Sequence, residues 1–176
     1  MSSVVRNNKE IKNKLEEAGI VEKGDFTLKS GRKSKIYVNK DKIFINFELF
    51  AKVLDCLMLT IIFGPGTNSF DVIAAPEGGG CILASPLITT MKKNFVRIHE
   101  EGKFILKHPY KEFVKGKKVL LIDDVITTGG TLKQCADEIE RAGGIITDVV
   151  CIWNRTGNVI VKGLNIYSLV LEEINE

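Results

Sequence analysis

Three short runs, FDVIAA (70–75), KVLLID (118–123) and IITDVVCIW (145–153), place apolar residues at successive positions instead of alternating them with polar ones. A strand with one wet face alternates, so strands of this composition need cover on both sides. The cover lies before and between them in the chain. From Phe47 to Phe63 the apolar positions span most of a helix circumference, which predicts a helix buried on more than one side. CILASPLITTM (81–91) predicts another, with a late start or a kink imposed by Pro86. TLKQCADEIERAGG (131–144) puts Leu132, Cys135, Ala136 and Ile139 on one face and ends on a glycine pair. NFVRI (94–98) and a run within NIYSLVLEE (165–173) add strands. Strands alternating with helices predict an α/β fold, a doubly wound parallel sheet flanked by helices.

Two stretches break the alternation. Residues 7–18 carry Ile11, Leu15 and Ala18 at helical spacing and stop at Gly19, a short amphipathic helix. After it, the β-prone pieces FTL and KIYVN flank the turn-forming KSGRKS, so residues 20–45 read as an N-terminal appendage to the sheet. Residues 99–116 are polar and weakly periodic, a hairpin or mobile loop. No repeat or linker divides the 176 residues, and 1–176 is expected to be a single domain.

Charge and cysteine usage narrow the function classes. The net charge of +3 is spread along the chain and suits an anionic small molecule at least as well as nucleic acid. No helix-turn-helix module is evident, so no nucleic-acid partner is expected. Cys56, Cys81, Cys135 and Cys151 lie far apart without a C-x-x-C pair, which predicts separately packed thiols and no thiolate zinc site. The N-terminus turns polar before any signal-like apolar region, and CLMLTIIF (56–63) is too short to span a bilayer. A cytoplasmic protein with no membrane contact is the expectation.

The chemistry concentrates in VLLIDDVITTGGT (119–131). In an open parallel sheet, ligands bind beyond the carboxyl ends of the strands. Glycines let the following loop bend closely around a ligand, and its N–H groups with the next helix N-terminus cradle an anion. Thr127, Thr128 and Thr131 add hydroxyl donors. Two carboxylates, Asp123 and Asp124, beside a phosphate cradle make sense if the ligand also carries vicinal hydroxyls or an associated Mg²⁺. A phosphorylated sugar meets both demands. A helix cap would need one aspartate and one glycine, so this density argues for function. The stretch is not a Walker A loop, and no G-x-G-x-x-G occurs.

VLLIDDVITTGGT resembles the phosphoribosyl pyrophosphate (PRPP) signature of type I phosphoribosyltransferases. The resemblance implies that fold, with Asp123 and Asp124 approaching the ribose hydroxyls and Val125, Ile126, Thr127, Thr128, Gly129, Gly130 and Thr131 around the 5′-phosphate. A second loop is implied to face pyrophosphate, and APEGGG supplies Glu77, Gly78, Gly79 and Gly80 there. A flexible turn is the alternative for the three glycines. GDFTLKSGRKSKIYVN (24–39) is similar to the N-terminal segment of orotate phosphoribosyltransferases, a hood over the base. That likeness implies Lys29 near orotate, with Tyr37, Val38 and Thr127 beside the ring. IWNRTG (152–157) puts Arg155 where the subfamily has an arginine for the orotate carboxylate, and such bidentate recognition suits arginine.

One stretch departs from the subfamily, which carries R-K-x-x-K-x-H-G in a mobile loop. In RIHEEGK (97–103), Arg97 matches, Ile98 and Glu101 replace the lysines, and Lys103 stands at the histidine. Lys103, ahead of Lys107 and His108, is the candidate to meet pyrophosphate. The expected reaction is transfer of phosphoribosyl from PRPP to orotate, giving orotidine 5′-phosphate in UMP biosynthesis. The resemblance implies Mg²⁺ held mainly through the substrate, with Asp123 and Asp124 as protein ligands, and a homodimer. A purine or other pyrimidine base, or a PRPP-sensing regulator without turnover, stays open because of the altered loop.

Overall fold

A computed structural model describes residues 9–27, 31 and 33–171. Helix α1 (Lys9–Glu17) is followed by an antiparallel hairpin, β1 (Val21–Thr27) and β2 (Lys33–Val38), which forms a two-stranded sheet of its own. Then come α2 (Asp41–Phe44), α3 (Phe47–Phe63), β3 (Val72–Pro76), α4 (Gly79–Met91), β4 (Asn94–Glu100), β5 (Phe104–Ile105) and α5 (Tyr110–Phe113). β6 (Lys118–Ile126), α6 (Gly130–Arg141), β7 (Ile145–Asn154), β8 (Ile160–Val161) and β9 (Leu164–Leu171) complete the chain.

The main sheet runs β5-β4-β3-β6-β7-β9-β8, with five parallel central strands and antiparallel two-residue strands at both edges. Because successive side chains face opposite sides, each apolar strand feeds two cores. Ile73, Ala75, Leu120 and Ile122 pack with Leu15 of α1, Leu57 of α3 and Leu83 of α4. Val72, Ala74, Val119 and Leu121 pack on the other face with Leu132, Ala136 and Ile139 of α6. The sheet is doubly wound, as the unalternating runs predict. The four cysteines are free, and three of them are buried at separate places.

Several element boundaries differ from the sequence reading, for local reasons. α4 starts at Gly79, two residues early, because Gly78 at φ +99° turns the chain into it. Pro86 lies within α4, neither delaying nor ending it. Its missing N–H would have met the carbonyl of Ile82, an exposed residue whose carbonyl can turn to water. β6 runs three residues past Asp123, because β7 supplies partners Trp153 and Asn154 for Val125 and Ile126. α6 covers 130–141 and stops ahead of Gly143, which takes a left-handed backbone at φ +83°. α2 was not foreseen in KDKIF. Residues 99–116 form the β4–β5 hairpin and α5. α3 spans 47–63 as expected but is covered on one side only, leaving Phe47, Leu59, Ile62 and Phe63 exposed.

At the end of α3, Gly64 passes against β9. A Cβ there would lie 2.6 Å from the Thr60 carbonyl oxygen and 2.6 Å from Cδ1 of Tyr167. Gly64→Ala is therefore expected to cost about 1–3 kcal/mol through forced displacement of packed atoms. Urea denaturation checks this; an unchanged midpoint would mean that α3 does not seat on β9 through this contact.

Candidate active site

The parallel order places a switch point between β3 and β6, from which the chain winds to opposite sides. Pairing between these two strands ends at Ala74 with Leu121. Beyond it, the first turn of α4 enters, so Asp123 and Asp124 have no β3 partner opposite them. An open parallel sheet holds its ligand crevice at such a switch point, and the residues that the motif marks lie here.

Strand alternation sends the two carboxylates to different sides. Asp123 follows Val119 and Leu121 toward the α6 face, and Asp124 follows Leu120 and Ile122 toward the α4 face. Both are buried, at 7% and 4% exposure. Asp123 Oδ1 accepts from the Asp124 N–H at 2.9 Å, and Asp124 Oδ1 from the Val125 N–H at 2.6 Å. Burial first, and then the charge of Asp124, push the Asp123 carboxyl up to about 7. Asp124 Oδ2 meets Lys40 Nζ at 2.5 Å, across from the end of the N-terminal hairpin. Burial works against the charge on Lys40, but Asp124, Asp123 and Asp41 outweigh it and its pKa is raised.

The three glycines of APEGGG have distinct tasks, so a merely flexible turn is not what they form. Gly78 adopts a backbone that disfavours any side chain. A Cβ on Gly79 would stand 1.8 Å from Asp124 Oδ2, and one on Gly80 would stand 3.0 Å from the Ile122 carbonyl oxygen. The α4 N-terminus is thereby pressed against the end of β6. Glu77 turns away to β4: its carboxylate accepts from the Glu100 N–H at 3.0 Å and pairs with His99 at 3.0 Å and Arg97 at 3.6 Å. That hydrogen bond, with the neighbouring His99 and Arg97, holds it below the usual glutamate range. The Glu77 carboxylate is thus engaged by Arg97 and His99.

After β6, Thr127 and Thr128 are exposed, and Gly129 is buried at φ +76°. The Gly130 N–H reaches Thr128 Oγ1 at 3.4 Å as α6 begins, with Thr131 in its first turn. Residues 127–131 thus form the turn from β6 into α6, while Val125 and Ile126 belong to the strand and Ile126 is buried.

Arg155 follows β7 directly. Its N–H donates to the Ile126 carbonyl at 2.8 Å, and its guanidinium reaches Ser34 Oγ of β2 at 3.4 Å. The wholly buried Asn154 fixes the turn, accepting from the Thr156 N–H at 3.0 Å and donating to the Asn158 carbonyl at 2.7 Å. Tyr37 stacks obliquely on Phe26 with centroids 5.4 Å apart, and Val38 is buried at the base of the hairpin. Lys29 lies outside the described residues. Lys103 is exposed in the tight turn of the β4–β5 hairpin, whose Glu101 N–H bonds its carbonyl at 2.9 Å. Lys107 pairs with Glu101, and His108 with Glu112 at 3.1 Å.

The structure thus brings together Asp123, Asp124, Gly79, the 127–131 loop, Arg155 and the hairpin. It also adds Lys40, Ser34 and Asn154, which sequence reading missed. Asn154 had a signal, an Asx-type residue just before the arginine of a turn. Lys40 had none.

Comparison with known proteins gives the family. Residues 46–162 match the family model described as "Phosphoribosyl transferase domain". The chain belongs to this family. It is 28% identical to an orotate phosphoribosyltransferase of Parvibaculum lavamentivorans, over 88% of this chain and 79% of the relative. It is 36% identical to an adenine phosphoribosyltransferase of Petrotoga mobilis, over 57% of this chain and 69% of that protein. The solved orotate phosphoribosyltransferase of Aeropyrum pernix superposes with a TM-score of 0.76 at 22% identity, covering 92% of this chain and 93% of the other. At that identity the likeness is one of fold. Relatives in the family are PRPP-dependent transferases. Among the described residues, no helix is long and apolar enough to cross a membrane.

Asp123 gives a pH signature. Its folded-state pKa lies above the unfolded value near 4, so its stabilising contribution is complete at acid pH and is lost as pH rises from about 4 to about 7. Asp123→Asn removes this loss. The variant is expected to be more stable than wild type at pH 8 by on the order of 2–4 kcal/mol, and to show no such gain at pH 4. Denaturation at the two pH values checks it; a gain independent of pH would contradict the burial of an ionisable Asp123.

Proposed function

We propose that the chain is an orotate phosphoribosyltransferase, transferring phosphoribosyl from PRPP to orotate and giving orotidine 5′-phosphate and pyrophosphate. The carrying observation is Arg155. Its backbone is tied to β6 beside the sugar-phosphate loop while its guanidinium reaches the hood. A cation there suits a base that bears a carboxylate. An adenine phosphoribosyltransferase is the second reading, favoured by the likeness to the Petrotoga protein, but adenine offers Arg155 no anion.

In this reading residues 127–131 hold the 5′-phosphate with N–H and hydroxyl donors. Asp123 and Asp124 take the ribose hydroxyls. Gly78, Gly79 and Gly80, with Arg97, offer donors to pyrophosphate, and Glu77 holds Arg97 in place. Tyr37 and Val38 line the base side, where the hood excludes water, and Lys29 is assigned there by resemblance. Lys103 on the β4–β5 hairpin is proposed to reach the leaving group.

The C1–O bond breaks with its electron pair leaving on pyrophosphate. The base nitrogen supplies the pair for the new C1–N bond and gives up its proton. Catalysis is then positioning and charge stabilisation around an oxocarbenium-like ribose, with no protein nucleophile. The cysteines suit no such role, since burial raises their thiols, Cys81 to about 11.

Mg²⁺ is proposed as the cofactor, held mainly through the substrate. The donor set fits: two carboxylates are present, one already engaged by Lys40, and Mg²⁺ is commonly held by one or two carboxylates plus substrate phosphates. Asp123 and Asp124 would be its protein ligands. When bound, it would offset charge on the pyrophosphate. A homodimer is proposed as well, since the outer side of α3 leaves Phe47, Leu59 and Ile62 exposed.

Steady-state kinetics of Arg155→Ala test the assignment. The KM for orotate is expected to rise about 10- to 100-fold, the loss of a charged hydrogen-bonded pair, while the KM for PRPP stays near wild type. Equal effects on both substrates would make Arg155 a structural residue and remove the support for orotate.

A further inference from the structure

The leaving group needs cations, and several on β4 and the segment after it are engaged by carboxylates. Lys107 is bound by Glu101, His108 by Glu112 and Arg97 by Glu77, while Lys103 sits exposed at the hairpin tip. A different lysine already stands in the crevice. Lys40 lies between β2 and α2, with its Nζ 2.5 Å from Asp124 Oδ2. That same oxygen fills the space where a Gly79 side chain would be. The ammonium is therefore beside the first turn of α4, the turn assigned above to pyrophosphate.

We propose that Lys40 is a further catalytic residue: its ammonium contacts the pyrophosphate of PRPP, and Asp124 holds it in place when the site is free. The assignment rests on the phosphoribosyl-transfer reading of the site. Asp124 is short, buried and tied by its other oxygen to the Val125 N–H, so it cannot follow the lysine far. Lys40 has a four-carbon stem and a partly exposed side chain, and it can turn from the carboxylate to a more highly charged anion beside it. Ribose hydroxyls arriving at Asp124 would take over the oxygen that the lysine leaves. The hood that carries Lys40 would then be drawn onto the substrate by the same contact. On departure of pyrophosphate, the ammonium meets the oxygen that receives the electron pair of the C1–O bond.

The test uses the full chain with Mg²⁺, inorganic pyrophosphate binding by calorimetry, and kcat with PRPP and orotate. Lys40→Met is expected to weaken pyrophosphate binding by about tenfold or more and to lower kcat at least as much, as for a lost charged hydrogen bond. Lys40→Arg should restore much of both. Lys40→Gln, which can still hydrogen-bond Asp124 but carries no charge, should behave like Lys40→Met and covers the case in which that variant does not fold. The same loss should persist when Lys40→Met is placed on Asp124→Asn. Pyrophosphate affinity of Lys40→Met or Lys40→Gln close to wild type overturns the proposal. So does a Lys40 effect that vanishes on Asp124→Asn, since the lysine would then act only as the counter-ion of that aspartate. If the wild-type protein binds neither PRPP nor pyrophosphate, the transfer reading itself falls and Lys40 falls with it. Wild-type binding without a Lys40 effect removes this assignment alone.

Discussion

Pairing between β3 and β6 stops at Leu121, and most of the site follows from that stop. Past it, α4 wedges in on glycines and β6 continues with β7 on one side only. Two consecutive aspartates thus face a crevice from a rigid strand, and their backbone is not free to relax. Strand alternation gives them unlike surroundings. Asp123 is left with desolvation and a like charge, while Asp124 gains Lys40. Burial and the like charge beside it make Asp123 harder to ionise. A site built to receive a polyanion benefits from that.

The N-terminal hairpin is tied to the main sheet at this same place. Arg155 touches Ser34 and Lys40 touches Asp124, so the hood's described polar contacts with β6 and β7 fall on residues assigned to ligand. Binding and hood position are therefore coupled through side chains that would be shared with substrate. Whatever draws on Asp124 or Arg155 also alters what holds the hood.

Periodicity made the double winding legible, because strands that refuse to alternate need cover on both faces. It also located the 127–131 loop, whose glycines and threonines are dense enough to exclude an ordinary turn. The ends of elements were less legible. The extension of β6 depends on β7 being long enough to pair with Val125 and Ile126, a non-local fact. The early start of α4 depends on Gly79 lying against Asp124, which local sequence cannot express. Lys40 was illegible for the same reason: its partner lies 84 positions away and only the fold brings them together. The outer face of α3 was misjudged because an apolar helix surface looks the same whether its cover comes from the same chain or not.

A base panel assayed with PRPP and Mg²⁺ tests the central claim most directly. Orotate is expected to be converted to orotidine 5′-phosphate with a kcat/KM well above that for adenine, by about 100-fold or more if Arg155 recognises the carboxylate. Preferential turnover of adenine, or PRPP binding with no base consumed, would contradict the account.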